Sequence, residues 1–199
     1  MEKILVATTN KGKLKELRAM LGDDIEWLTL ADFEGIDEVV EDGTTFAENA
    51  RKKATGYAAK TGCTTIADDS GLVIDAMDGA PGINSARFSG PKLPDEDRTL
   101  IDHRNIQKAL TLMEGVPREK RTARFVCAIC MASPEKVIAE TEGTCEGIIL
   151  NEETGENGFG YDPVFFSTEL KKSLGTADPE EKNKISHRGN AIRNLKKLL

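Results

Sequence analysis

The stretch KILVATTNKGKLKELRAML, residues 3–21, decides the fold. Ile4, Leu5, Val6 and Ala7 are an unbroken apolar run of the length of a short buried strand, and residues 8–12 are turn formers. Leu14, Leu17 and Leu21 then recur on one side of a helix. A strand that feeds a helix through a short polar loop is the opening of an α/β protein. Working outward, a second strand is predicted near residues 25–28, followed by an acidic loop. Thr45 and Glu48 form a capping-box pattern ahead of Phe46, Ala50, Ala54, Tyr57 and Ala58, with Gly62 as the stop. That pattern predicts a helix over 46–60.

Residues 64–67 read as a buried strand that ends in Asp68, Asp69, Ser70 and Gly71, before an apolar run at 72–74. The acidic pair is therefore expected at a strand end. Gly79, Pro81 and Gly82 mark a rigid loop, and a helix over 95–114 is introduced by Pro94 and closed by Gly115 and Pro117. Strands are predicted over 122–132, 137–143, 146–150 and 164–166, with a closing helix over 189–199. Alternating strands and helices at both ends and consecutive strands in the middle predict an α/β fold on a mixed sheet. At 199 residues the chain suits one large domain or two intimately joined lobes.

Charge narrows the partners. Lys and Arg number 27 against 34 Asp and Glu, a net charge of −7, which argues against a general nucleic-acid or anionic-membrane surface. Residues 180–199 run the other way, with Lys182, Lys184, Arg188, Arg193, Lys196 and Lys197 against two Glu. No apolar stretch approaches the roughly 18 to 20 residues of a membrane helix. The start at Met1 runs into the first strand without a cleavable leader, so a cytoplasmic location is expected. Four cysteines are too few for a disulfide framework. Cys127 and Cys130 have CxxC spacing but fall in a predicted strand, where residues three apart face opposite ways and cannot share a metal.

Several loops carry residues suited to a phosphorylated ligand. Thr8, Thr9, Asn10, Lys11, Gly12 and Lys13 lie between strand and helix, where backbone N–H groups and the helix end favour anions, although any capped turn has this composition. Acids recur in separated loops, at Glu41 and Asp42 and at Asp68 and Asp69. Brought together against a polyphosphate they would need a cation between them, and oxygen ligands point to Mg²⁺ or Mn²⁺. On the second helix at most one of Lys52 and Lys53 can face such a site. Gly158, Phe159, Gly160, Tyr161, Asp162 and Pro163 combine flexible glycines, rings that stack on a flat ligand and an acceptor. Lys182, Ser186, His187 and Arg188 follow at a helix entrance.

Together, TTNKGK at 8–13, EDGTTFAENARKKA at 41–54, ADDSGL at 67–72, GAPGINSARFSG at 79–90, GFGYDPVFF at 158–166 and EKNKISHRGNA at 181–191 resemble the non-canonical purine NTP pyrophosphatase family. These are the Ham1-like enzymes that include inosine triphosphate pyrophosphatase and XTP/dITP diphosphatase. The resemblance covers nearly the whole chain, residues 1–199. It implies a long mixed central sheet flanked by helices, two lobes with a nucleotide cleft between them, and a homodimer. It implies hydrolysis of a purine NTP or dNTP (ITP, dITP or XTP) to the monophosphate and pyrophosphate.

By position, the resemblance assigns the phosphates to residues 8–13 and Lys53, Mg²⁺ to Glu41 and Asp69, and the role of base for the attacking water to Asp69. Ser70 would touch the substrate. Phe159, Gly160, Tyr161 and Asp162, with Lys182, His187 and Arg188, would form the nucleobase pocket. Two other readings compete: a Maf-like nucleotide pyrophosphatase of different base specificity, and a non-catalytic nucleotide sensor. The SHRGNA and GFGYDP blocks argue against the first, and Glu41 with Asp69 against the second.

Overall fold

The computed structural model describes residues 3–22 and 25–199; the Met1 end of the opening expected to lack a leader lies outside them. The opening folds as the strand and helix its pattern predicts, β1 (Lys3–Val6) and α1 (Lys11–Leu21), with the helix starting at Lys11, inside the stretch 8–12 read as a turn. β1 runs parallel to both of its neighbours, β2 (Glu26–Thr29) and β3 (Thr64–Ile74), with Ile4 opposite Trp27 on one side and Thr64 on the other. Further on come β4 (Thr122–Ala132), β5 (Val137–Ile149), β6 (Phe165–Ser167) and β7 (Lys172–Ser173). The strands form one seven-stranded sheet in the order β2-β1-β3-β4-β5-β6-β7, with antiparallel pairing from β5 to β6 and from β6 to β7. The α/β fold with a mixed sheet and flanking helices is thus as expected.

The helices are α1, α2 (Phe46–Thr61), α3 (Arg98–Leu112), α4 (Pro179–Ile185) and α5 (His187–Leu195). At the start of α2 the Thr45 hydroxyl accepts from the Glu48 amide at 3.1 Å, as its cap pattern predicts, while the Glu48 carboxylate turns to the amide and hydroxyl of Thr44. Gly62 ends the helix in the left-handed conformation at φ 70°. α3 begins later than expected. Asp95 takes a positive φ of 62°, Glu96 accepts from the Leu93 amide, and Asp97 is the residue that caps the helix.

Two predicted breaks are absent. β3 continues through Asp68, Asp69, Ser70 and Gly71, so the acidic pair lies inside a strand and not at its end. β5 likewise runs through Gly143 as a single strand. In both places glycine serves close approach. A Cβ on Gly71 would stand 2.4 Å from Ser85 Oγ and 2.5 Å from the Gly82 carbonyl, and one on Gly143 would stand 2.3 Å from the Ala191 amide nitrogen.

The chain divides into two compact units. The first comprises Met1–Ser70, Cys127–Gly143 and His187–Leu199, the second Gly71–Val126 and Thr144–Ser186. In the first, the two-residue period of β1 sends Ile4 and Val6 into a cluster with Leu17, Ile66, Cys127, Ile129, Ile192 and Leu195. Leu5 and Ala7 join Ala50, Ala54, Tyr57, Ala58, Ala128 and Cys130 on the other side. Cys127 and Cys130 therefore belong to different clusters, and burial pushes both thiols up to about 12. In the second unit, Ile106, Ala109 and Met113 of α3 pack with Phe125, Ile149, Tyr161, Phe165 and Leu174. Arg121 closes that core, its buried guanidinium donating to the carbonyls of Met113, Ile149 and Leu150, each at 2.7 Å.

Candidate functional site

Between β1 and α1 the polar loop is held by its own side chains. Asn10 caps the helix, its Oδ1 accepting from the amides of Gly12 at 2.9 Å and Lys13 at 3.2 Å, and Thr8 Oγ1 accepts from the Asn10 amide at 3.2 Å. Those amides are thus already engaged, and the loop's positive character rests on the helix end and the side chains of Lys11 and Lys13. Thr9 and Lys11 are exposed, whereas Lys13 reaches inward to Asp68 at 3.0 Å.

The neighbours Asp68 and Asp69 part company because consecutive strand residues face opposite ways. Asp68 is fully buried. Its Oδ2 meets Lys13 Nζ at 3.0 Å and Arg188 Nη2 at 2.9 Å, and Arg188 extends the network to Glu16 and, at 2.9 Å, to Ser70 Oγ. Burial alone would raise the Asp68 pKa, but the charges of Lys13, Arg188 and Lys53 outweigh it and hold the carboxyl well below the usual range. Arg188 moves upward for the converse reason: burial opposes its charge, and Asp68 and Glu16 more than restore it. A completely buried ion pair of this kind survives only with such compensation.

Asp69 faces α2. Its Oδ2 accepts from Asn49 Nδ2 at 3.1 Å, and its Oδ1 lies 3.8 Å from Lys53 Nζ. The same ammonium stands 2.7 Å from Glu41 Oε2, so the two carboxylates are no further apart than the sum of those distances. Burial raises the Asp69 pKa above the ordinary carboxylate value; Lys53, Lys13 and the Asn49 hydrogen bond pull the other way, and Glu41 adds to the rise. Lys53 is raised as well, since its burial is outweighed by Asp68, Asp69 and Glu41. Lys52 points away and pairs with the exposed Asp42, whose carboxyl is lowered by that hydrogen bond. Among the described residues no group of three or more His, Cys, Asp or Glu is placed to hold a metal. Glu41 and Asp69 nevertheless offer hard oxygen donors with partial exposure, the kind of pair through which Mg²⁺ is bound when waters and substrate phosphates complete its shell.

The glycine-aromatic loop belongs to the second unit. Asp162, 2% exposed, accepts from the Phe159 amide at 2.8 Å and from Lys182 Nζ at 2.6 Å. The Lys182 ammonium also lies 4.5 Å from the centre of the Phe159 ring. Gly158 has φ 81°, and a Cβ there would stand 2.1 Å from Asp162 Oδ2, so the turn requires glycine. The Gly160 amide donates to Asp102 of α3 at 3.0 Å. Tyr161 is an anchor: its ring is in the core and its hydroxyl donates to the Ser85 carbonyl at 3.0 Å. Phe159 remains partly exposed.

Of the predicted site residues in the first unit, the structure gathers Glu41, Lys53 and Asp69 on one side of β3 and Lys13, Ser70 and Arg188 around Asp68 on the other, and His187 opens α5. The structure brings together Phe159, Gly160, Asp162 and Lys182 in the second. Asn49, Glu16 and Asp102 are participants that motif reading overlooks. Asn49 and Glu16 carried a signal nonetheless, since Asn49 precedes Lys53 by four residues and Glu16 follows Lys13 by three, helical spacings that share a face.

Comparison with known proteins decides the lineage. A family model described as the Ham1 family matches residues 4–198. The chain belongs to the Ham1 family. It is 48% identical over 198 residues to a protein of Desulforamulus reducens named dITP/XTP pyrophosphatase, a match covering 99% of this chain and 95% of that one. The Ham1 protein structure from Staphylococcus aureus superposes with a TM-score of 0.84 at 37% identity, covering 98% of this chain and 97% of the other. A HAM1 protein structure from Coxiella burnetii gives 0.85 at 36% identity, covering 100% and 98%. Both Ham1 structures share the α/β architecture described above.

Proposed function

We propose that this Ham1-family chain is a hydrolase that splits purine nucleoside triphosphates bearing a 6-oxo base, namely ITP, dITP and XTP, into the monophosphate and pyrophosphate. The observation that carries this reading is the convergence of Glu41 and Asp69 on the Lys53 ammonium, in a chain whose relatives are named dITP/XTP pyrophosphatase. Thr8, Thr9, Asn10, Lys11, Gly12, Lys13 and Lys53 hold the phosphates. Glu41 and Asp69 hold Mg²⁺ or Mn²⁺, and the ion when bound supplies positive charge against the triphosphate.

Asp69 takes a proton from the attacking water. The water oxygen joins the α-phosphorus, the bond from that phosphorus to the bridging oxygen breaks, and the electron pair leaves with pyrophosphate. A carboxylate raised by burial is suited to accept that proton, and the lysines meet the charge on the leaving group. Ser70 touches the substrate. Phe159 offers the stacking face, and Gly160, Tyr161 and Asp162 shape its loop. Lys182, His187 and Arg188 donate to base oxygens, and such donors are left unmatched by adenine, whose 6-amino group is itself a donor. The protein works in the cytoplasm as a homodimer, on free nucleotides and not on nucleic acid or membranes; light scattering at twice the monomer mass checks the assembly.

The deciding assay supplies Mg²⁺ with ITP, dITP, XTP, GTP or ATP and separates pyrophosphate from orthophosphate. Pyrophosphate release from the oxo-purine substrates, with ATP slower by orders of magnitude, is the expected result. Orthophosphate as the product, or equal turnover of ATP and ITP, overturns the reading.

A further inference from the structure

Asn49 is 2% exposed in the early part of α2, and its amide joins the two segments that carry the acids. Oδ1 accepts from the Gly43 amide at 2.8 Å, two residues beyond Glu41, and Nδ2 donates to Asp69 Oδ2 at 3.1 Å. The assignment of oxygen and nitrogen is forced by the partners. Turning the amide over would set NH₂ against a backbone N–H and a carbonyl against a carboxylate. Close approach is built in from the loop side as well: a Cβ on Gly43 would stand 2.7 Å from Asn49 Oδ1 and 2.8 Å from Glu48 Cβ.

Lys53 follows Asn49 by four residues on the same helix. The amide takes Asp69 Oδ2 while the ammonium lies on the side of Oδ1 and Glu41. One helix face therefore sets the rotation of the Asp69 carboxylate and the distance to the Glu41 loop.

We infer that Asn49 is a positioning residue for hydrolysis: it locks the Asp69 carboxylate so that Oδ1 faces the reacting groups, and it ties the Glu41 loop to that carboxylate. This rests on the reading of Asp69 given above. Removing Asn49 leaves both acids in place chemically but free to turn and separate. Loss of an outer hydrogen bond to a carboxylate of this kind typically lowers activity about 10- to 100-fold.

The test compares Asn49→Ala, Gly43→Ala, Asp69→Asn and the Asn49→Ala/Asp69→Asn double variant, with ITP and Mg²⁺. For Asn49→Ala, kcat is expected to fall about 10- to 100-fold, with KM for ITP within about threefold of the parent and a cooperative thermal transition retained. In the Asp69→Asn background the same substitution is expected to add no further loss, because the group it positions has gone. Gly43→Ala, which displaces the amide from outside, is expected to reproduce the kcat-selective loss. It also decides the matter should Asn49→Ala not fold. An unchanged kcat in either folded single variant overturns the inference, as does a loss that multiplies in the Asp69→Asn background. Near-normal turnover of Asp69→Asn alone would instead remove the underlying reading of Asp69.

Discussion

Asp68 and Asp69 share a side-chain chemistry and almost nothing else. Asp69 sits in partial contact with solvent beside Lys53 and Glu41, and Asp69→Asn is expected to lower kcat about 10³-fold or more while leaving nucleotide affinity near the parent value. Single-turnover kinetics with a separate binding measurement check this. Asp68 is structural, and Asp68→Asn removes one of the two carboxylates, Asp68 and Glu16, that face the buried Arg188 charge. A loss of about 3 kcal/mol is expected from removing the anion that compensates such a buried charge. Because the folded-state pKa of Asp68 lies below its unfolded value of about 3.9, its stabilisation is complete above roughly pH 5, begins to fall near the unfolded value and is lost progressively as pH drops toward the lower folded one. The parent should therefore lose melting temperature more steeply than Asp68→Asn between pH 6 and pH 3.5; parallel curves would refute the assignment. The DDSG string showed that acids were present. It did not show which one the core would consume, because Lys13, Glu16 and Arg188 arrive from elements far apart in the chain.

Elements were legible where local chemistry sets their ends, as at Thr45 and Gly62, and misread where glycine answers a distant neighbour. Gly71 and Gly143 resemble strand breaks, yet each lies inside a strand that continues, because another segment presses against its bare Cα. Gly143 faces the backbone of α5, with the His187 carbonyl 2.4 Å from where a Cβ would be. Gly143→Ala is accordingly expected to cost about 1–3 kcal/mol, in the range of overpacking substitutions. It should also slow turnover by shifting the helix that begins with His187 and Arg188. Urea unfolding reads the first effect and ITP hydrolysis the second; unchanged stability would show that α5 yields freely. The short β7 and α4 escaped notice because neither is long enough to display a period.

For the whole molecule, the net charge of −7 is offset where it matters by few cations, and those already answer to carboxylates: Lys13 to Asp68, Lys53 to Glu41 and Asp69. A triphosphate arriving alone would meet acids as well as lysines. Chelation of divalent ions by EDTA is therefore expected to abolish turnover, with recovery on adding Mg²⁺. Activity that persists in EDTA would contradict the role given to Glu41. Six motif blocks in order made the family and the reaction class legible. They could not show that Tyr161 is consumed as an anchor, since burial is a property of the assembled core.

A pleated strand has two sides and no third option, and β3 uses both. Inserting or deleting a single amino acid just upstream of Asp68 would turn the ladder over. Asp69 would be turned to the buried side of Lys13, Arg188 and Cys127, and Asp68 to the side of Asn49, Lys53 and Glu41. The count of residues between the start of β3 and its acids is thus as tightly specified as their identity.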